Sequence, residues 1–380
     1  MRKTFLILSI MVAASLFNTT AFASVNDDQV TSQKIREADG TSGQNTNSGS
    51  GVKTGHIQDG AVTNAKIGGT ISQSKVTGLE AALAGKSEVT HNHDVLYQQK
   101  YGKVAVVAQT GGDYGDPIAA MNDLATWCGT PAATNPCLVK IMPGVYNVGN
   151  DRVVMINYVD IEGSGENVTK ILGSTNILGG NIGLVEGASN AELRNLTVEN
   201  SGGYWVPKAI CNTNASPKLT NITVISAGAP TGNYGIENRN SSPIMTNVTV
   251  YLSGRSCQAI TNNSASSARL TNVNITTACS DVNVGITNNS SSPILNNVTV
   301  SASGGSQENY GMLNFTSTPT IINSSLSGNG ASGAGVYNAW ADNITTIFNS
   351  IISGSEMNIR GELTKCINVV DASFNPITCQ

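Results

Sequence analysis

Apolar residues in the second half of the chain fall in short alternating runs broken by polar bends. In Leu219-Thr-Asn221-Ile222-Thr-Val224, Ile222 and Val224 share one strand face, because side chains alternate. Leu219 lies three residues before Ile222, so it also points inward only if the alternation breaks between them. Asn221 stands at that break, and Asn is the non-glycine residue that best tolerates left-handed backbone angles. The phrase recurs at Asn195, Asn221, Asn247, Asn272, Asn297, Asn323 and Asn349, in steps of 26, 26, 25, 25, 26 and 26 residues. A second series, Asn212, Asn238, Asn262, Asn288, Asn314 and Asn338, steps by 26, 24, 26, 26 and 24 after a Gly/Ala-Ile-x phrase. Two registered series mean that one supersecondary unit is being stacked.

A unit of ~25 residues, rich in Val, Ile and Thr and without a helical stripe, is too short for a helix-containing repeat. The predicted unit is a set of short strands joined by bends. Coiling places equivalent positions ~4.8 Å apart, so each Asn amide bonds the ones above and below it. The Asn-x-Ser/Thr sequons at Asn195, Asn221, Asn247 and Asn297 arise from the same repeat and are read as ladder positions, not glycosylation sites. Pro217, Pro243, Pro293 and Pro319 close turns.

Upstream, Val104, Val106 and Val107 form a short strand, and Asp116-Pro117 supplies an N-cap followed by proline at N1. Ile118, Met121, Leu124 and Ala125 give a helical stripe that Gly129 ends. A strand from Cys137 to Met142, a Pro143-Gly144 turn and Val145-Tyr146 follow. This entry resembles that of pectate-lyase-like right-handed β-helices, and Val159-Asp-Ile161 before Gly163-Ser-Gly165 is similar to the next coil of that family. The resemblance implies an all-β, right-handed parallel β-helix of about ten coils over 104–365, with a short N-terminal capping helix and a C-terminal cap at 366–380. It extends to the scaffold alone. The catalytic motifs of pectate lyases and polygalacturonases are not recognisable.

The first hundred residues differ. Met1-Arg2-Lys3, an apolar run from Phe5 to Phe17 and Ala21-Phe22-Ala23 make a secretory signal over 1–23, and the expected product is secreted or held at the cell surface. The run is too short to span a bilayer, and no later stretch reads as a membrane span. Residues 24–103 are a low-complexity stalk and linker in which a phrase with two spaced apolar positions recurs, as in Ala61-Val-Thr-Asn-Ala-Lys-Ile67. One such chain cannot build a core, whereas several associating chains can. The run from Gly78 to Lys86, followed by His91-Asn-His93-Asp94 and Tyr97, resembles stalk segments of phage tail fibres and related trimeric fibres. That resemblance implies a homotrimer in which His91 and His93 face the axis and hold a metal. The alternative is a polar turn facing solvent.

Composition narrows the chemistry. Removing Arg2 and Lys3 from 21 basic residues leaves 19 against 25 acids, and with 12% charged residues and no basic run the chain is not built to bind nucleic acid. Seven cysteines in an exported chain point to disulfides: Cys128 with Cys137, Cys366 with Cys379, and Cys257 with Cys279 in neighbouring repeats. Cys211 is left over and reads as an inert surface thiol, since the repeats contain no His to activate it.

Length varies only between the Val-x-Val strand and the Gly-Ile-x-Asn strand, and such loops commonly carry binding. Tyr204, Trp205, Tyr234, Tyr251 and Tyr310 sit in or beside these loops, either to stack on sugar rings or to shield strand ends. The acids between residues 190 and 350 are Glu192, Glu199, Glu237, Asp281, Glu308 and Asp342, with no pair recurring on adjacent coils. Glu237 and Arg239 share an outward line around Asn238, but no catalytic set follows. The expected function is structural or adhesive, presenting loops to a polysaccharide or cell-surface glycan. The alternative is a polysaccharide lyase or glycoside hydrolase with a site between subunits.

In sedimentation velocity, the mature chain is expected to run as a trimer and a chain beginning at Val104 as a monomer. A monomeric mature chain removes both the trimer and the His91/His93 metal site.

Overall fold

The computed structural model describes residues 101–175, 182–203, 206–340, 342–361 and 364–379. Parallel strands stack along three walls of a β-helix. In the first wall Val139, Ile161, Leu193, Leu219, Met245, Leu270, Leu295, Ile321 and Ile347 pair in unbroken register. The second wall stacks Ile171, Val198, Val224, Val250, Ile275, Val300, Leu326 and Ile352. The third stacks Val185, Ile210, Ile236, Ile260, Ile286, Met312 and Val336. All three rows meet in one continuous core. Burying one such side chain contributes roughly 1.5–3 kcal/mol. Ordering the backbone of one coil costs about 1–2 kcal/mol per residue, so a coil is stable only against its neighbours.

The bend between the first two walls is left-handed at Asn195 (φ 57°), Asn221 (52°), Asn247 (54°), Asn272 (55°), Asn297 (55°), Asn323 (49°) and Asn349 (46°). Pairing skips Asn221 between Thr220 and Ile222, which is the parity break that turns Leu219, Ile222 and Val224 all inward. Asn368, at φ 55°, adds a further step beyond the sequence series. Along the bend Asn221 Nδ2 donates to Asn195 Oδ1 at 2.9 Å, Asn247 to Asn221 at 3.0 Å, Asn272 to Asn247 at 3.0 Å and Asn297 to Asn272 at 2.8 Å.

The second series lies at the far end of the third wall and is buried in the core. Asn212 Nδ2 donates to Asn238 Oδ1 at 2.8 Å, and the chain continues through Asn262 (2.8 Å), Asn288 (2.9 Å), Asn314 (2.8 Å) and Asn338 (2.9 Å). The two ladders run in opposite senses: the bend amides donate toward the N-terminus of the stack, the buried ones toward its C-terminus. The buried ladder starts beneath Gly187, where a Cβ would lie 2.0 Å from Asn212 Oδ1.

A third set, five residues before the second, clamps loops. Asn283 accepts from Cys279 N (2.7 Å) and donates to Cys279 O (2.8 Å), and Asn309 does the same with Gly305 at 2.9 Å each. Asn233 accepts from Ala229 N at 3.3 Å. Each clamps the variable loop four residues behind it. The coil between Asn233 and Asn283 carries Cys257 in that register position, and Cys257 is instead disulfide-bonded to Cys279.

Cys128–Cys137 and Cys366–Cys379 are also bonded. At the N-terminal end the expected single helix is two, α1 (Pro117–Asn122) and α2 (Leu124–Trp127). Asp116 Oδ1 caps α1 by accepting from Ala119 N at 2.9 Å. Asp123 accepts from Tyr114 Oη (2.6 Å) and Thr126 Oγ1 (2.5 Å), which turns the chain into a new helix there. The buried stripe is therefore Ala120, Met121, Leu124 and Cys128, while Ala125 is exposed.

Asn262→Ala would orphan Asn238 Nδ2 and Asn288 Oδ1 inside the core, with an expected cost of about 3 kcal/mol from two lost partners. Asn247→Gly, at an exposed left-handed bend, is expected to cost under ~1 kcal/mol. Thermal and urea unfolding of the two variants checks the contrast.

Candidate functional site

The outer face of the third wall is set by a second parity break. Pairing skips Gly235 and Ala259 between Tyr234↔Gln258 and Ile236↔Ile260, so residues on both sides of the skip reach the outer face. A Cβ at Gly235 would lie 2.5 Å from Ala259 O, which accounts for the small residue there. Three outward rows result. One runs Tyr234, Gln258, Val284 and Tyr310; the next Cys211, Glu237, Thr261, Thr287, Leu313, Tyr337 and Arg360; the last Thr213, Arg239, Asn263, Asn289 and Phe315.

The character of this face changes along the axis. Its N-terminal end is ionic. Glu237, with 5% of its side chain exposed, pairs with Lys208 Nζ (2.5 Å) and Arg239 Nη2 (3.0 Å) and accepts from Asn263 Nδ2 at 3.2 Å. Cys211 is buried, not a surface thiol as its sequence position implied, and its Sγ lies 4.0 Å from Glu237 Oε2. Burial, with Glu237 adding to it, pushes the thiol pKa up, so Cys211 is no nucleophile. Glu186 stands in the coil before Cys211, and burial raises its carboxyl against the opposing pull of Arg152 at 3.1 Å.

The middle is neutral and polar: Thr261 and Thr287 both donate to Gln258 Oε1, at 3.4 and 3.2 Å. The C-terminal end is aromatic. Tyr310 and Tyr337 pack at 5.1 Å between centroids, and the Arg360 guanidinium lies 4.7 Å over the Tyr337 ring. Phe315 and Trp340 meet edge to face at 5.4 Å, with Trp340 58% exposed. Val284, Tyr310 and Ala334 form a cluster separate from the core.

Of the aromatics singled out by sequence, Tyr234 and Tyr310 share this face, but Tyr310 is buried. Tyr251 is 49% exposed on the second wall, in the row of Ile225 and Thr276. The structure does not bring it to the others. Tyr204, Trp205, His91 and His93 lie outside the described residues. Sequence reasoning passed over Phe315, Tyr337 and Trp340, whose signal was their place within or just after the Gly-Met/Val-x-Asn phrase.

A second concave region lies on the first wall. Ile161↔Leu193 pairing puts Asp160 beside Glu192 on adjacent coils, a pair that the sequence count missed because it began at residue 190. Arg194 joins them, with Nη1 at 3.1 Å from Asp160 Oδ2 and 2.9 Å from Glu192 Oε2, and it also binds Glu162. Tyr101 Oη donates to Asp160 and accepts from Arg194 Nη2 at 2.8 Å. Glu162 loses stability as an anion through burial, but hydrogen bonds from Lys140 and Arg194 outweigh this and hold its pKa below the ordinary glutamate value. Beside this network is a cleft of ≈ 750 Å³ lined by Tyr158, Asp160, Glu192, Lys218, Ser242 and Ile244 among others. Tyr158 has φ 64° where Asn190 of the next coil has 54°, and a bulky residue there costs ~1–3 kcal/mol. Among the described residues no three of His, Cys, Asp and Glu group as metal ligands, and no helix is long and apolar enough to cross a membrane.

Stacked walls, left-handed Asn bends and two short capping helices define a parallel β-helix. Among solved structures the chain is similar to a pectin methylesterase from Erwinia chrysanthemi, at 11% identity and TM-score 0.41 over 73% of this chain and 91% of that one. It is also similar to a pectin methylesterase from carrot, at 14% identity and TM-score 0.36 over 70% and 83% of the two chains. A protein of Geobacillus virus E2 aligns at 12% identity and TM-score 0.35, over 76% of this chain and 64% of that one. At these identities the likeness is one of fold alone. No family model and no curated protein matches the chain.

Glu237→Gln leaves Lys208 buried beside a neutral amide and is expected to lower stability by about 3 kcal/mol. Lys208→Met with Glu237→Leu is expected to recover most of it, as followed by thermal melting.

Proposed function

We propose that this is an exported, structural or adhesive β-helix protein that holds an extended polysaccharide along the outer face of its third wall. The supporting observation is the registered passage from amide side chains (Gln258, Asn263, Asn289) to rings (Phe315, Tyr337, Trp340) on one face. Rings suit the apolar faces of sugars, and amides and hydroxyls suit their hydroxyl groups. Glu237 is buried and held by two cations. The secretory signal and a trimeric stalk over 24–103 would place several such faces around one axis, where weak sites add through avidity.

One observation favours a second reading, as a glycoside hydrolase. Glu186 and Glu237 stand in the coils on either side of Cys211, about 10 Å apart along the wall, near the spacing of inverting carboxylate pairs. The raised pKa of Glu186 is what a general acid requires.

Calorimetry and reducing-end release over one panel of neutral and acidic polysaccharides separate these. Binding without turnover is expected, weakened at least tenfold by Trp340→Ala with Tyr337→Ala. Turnover abolished by Glu186→Gln would establish the hydrolase instead, and a panel that neither binds nor reacts would reject both.

A further inference from the structure

The cleft on the first wall owes its existence to a step in the coil. The turn from the third wall to the first spans seven residue steps from Val185 to Glu192, but eight between their paired positions Ile210 and Lys218. The rim therefore shifts where the turn lengthens, and a hollow opens against Ala133 and Pro136 of the N-terminal cap. It crosses several consecutive coils, about 14 Å from the level of Tyr158 to that of Ser242. The hollow lies in the usual size range of small-ligand sites, roughly 300–1,000 Å³.

Its lining selects by charge. Asp160 and Glu192 disfavour an anion, while Lys218, exposed at the same cleft, and Arg194 behind the two carboxylates disfavour a cation. Glu192 N donates to Asp160 Oδ1 at 2.8 Å and Thr220 Oγ1 to Glu192 Oε1 at 2.6 Å, so both carboxylates are fixed in direction. Glu192 accepts from a hydroxyl group of a ligand, the Lys218 ammonium beside it on the next coil donates, and Tyr158 and Ile244 supply apolar surface. Tyr158 itself sits at a left-handed turn position that Asn fills in the next coil. The turn alone does not call for a ring there, and the ring is set at the cleft.

We propose that this cleft is a second saccharide site, specific for neutral sugar residues and separate from the third-wall face. The proposal stands on the cleft's own residues and does not require the third wall to bind.

The test is calorimetry of the full chain with neutral glucan, mannan and galactan hexasaccharides, oligogalacturonate and chitosan hexamer. Tyr158→Asn removes the ring and restores the residue that the turn accommodates, and Ser242→Trp fills the cleft from its rim. With melting temperatures held, each is expected to weaken binding of a neutral hexasaccharide at least tenfold, and Trp340→Ala is expected to leave that component intact. Binding that Trp340→Ala leaves wholly unchanged while both cleft variants weaken it would remove the third-wall reading and spare this one. Binding that is indifferent to both cleft variants, binding restricted to the charged oligomers, or no binding of any hexasaccharide would each overturn the proposal.

Discussion

Everything in this molecule depends on a backbone angle that most residues avoid. At each coil the chain must enter left-handed space for one residue, so that a run of alternating side chains can turn three apolar groups the same way. Asparagine is the residue that does this while also offering an amide to its neighbours above and below. The bend fixes the register, and the register in turn aligns the walls. Because each coil's core is completed by the next, a displaced bend would disturb the whole stack.

The same register decides what the outer faces can be. Substitutions on the third wall do not act singly: a residue is flanked above and below by its equivalents ~4.8 Å away, so chemistry accumulates in stripes. That is how the third wall passes from ionic to amide to aromatic within a few coils without any change in backbone. On the first wall a hollow lies beside a turn that is one residue shorter than the next. The fold leaves function to two kinds of variation, the identity of outward residues and the length of turns.

Much of this was legible in the chain. Asn221 and its equivalents, the Leu219-type parity break and the Cys257 register all depend on spacing, and spacing survives in a linear sequence. The loop clamps at Asn233, Asn283 and Asn309 stand five residues before Asn238, Asn288 and Asn314, a fixed spacing that Cys257 interrupts, and spacing alone does not reveal that their side chains turn back onto the loop. Asp160 lay outside the span in which acids were compared, and the irregular insertion after it puts 32 residues before Glu192 where 25 or 26 are usual, by 192 minus 160. Cys211 was misjudged as exposed because outward parity does not reveal that ion-paired neighbours cover it. Spacing identifies what stacks; it is silent on what overlies the stack.

The Cys257–Cys279 bond has a mechanical meaning. A solenoid pulled from its ends yields by peeling, one coil after another, and the released chain lengthens as it goes. This covalent link joins neighbouring coils near the middle of the stack, with a sequence separation of 22 residues. Those residues cannot extend while the bond holds, which withholds about 75 Å of contour length. Under tension along the axis, the bond divides the coil into two halves and sets a stop between them.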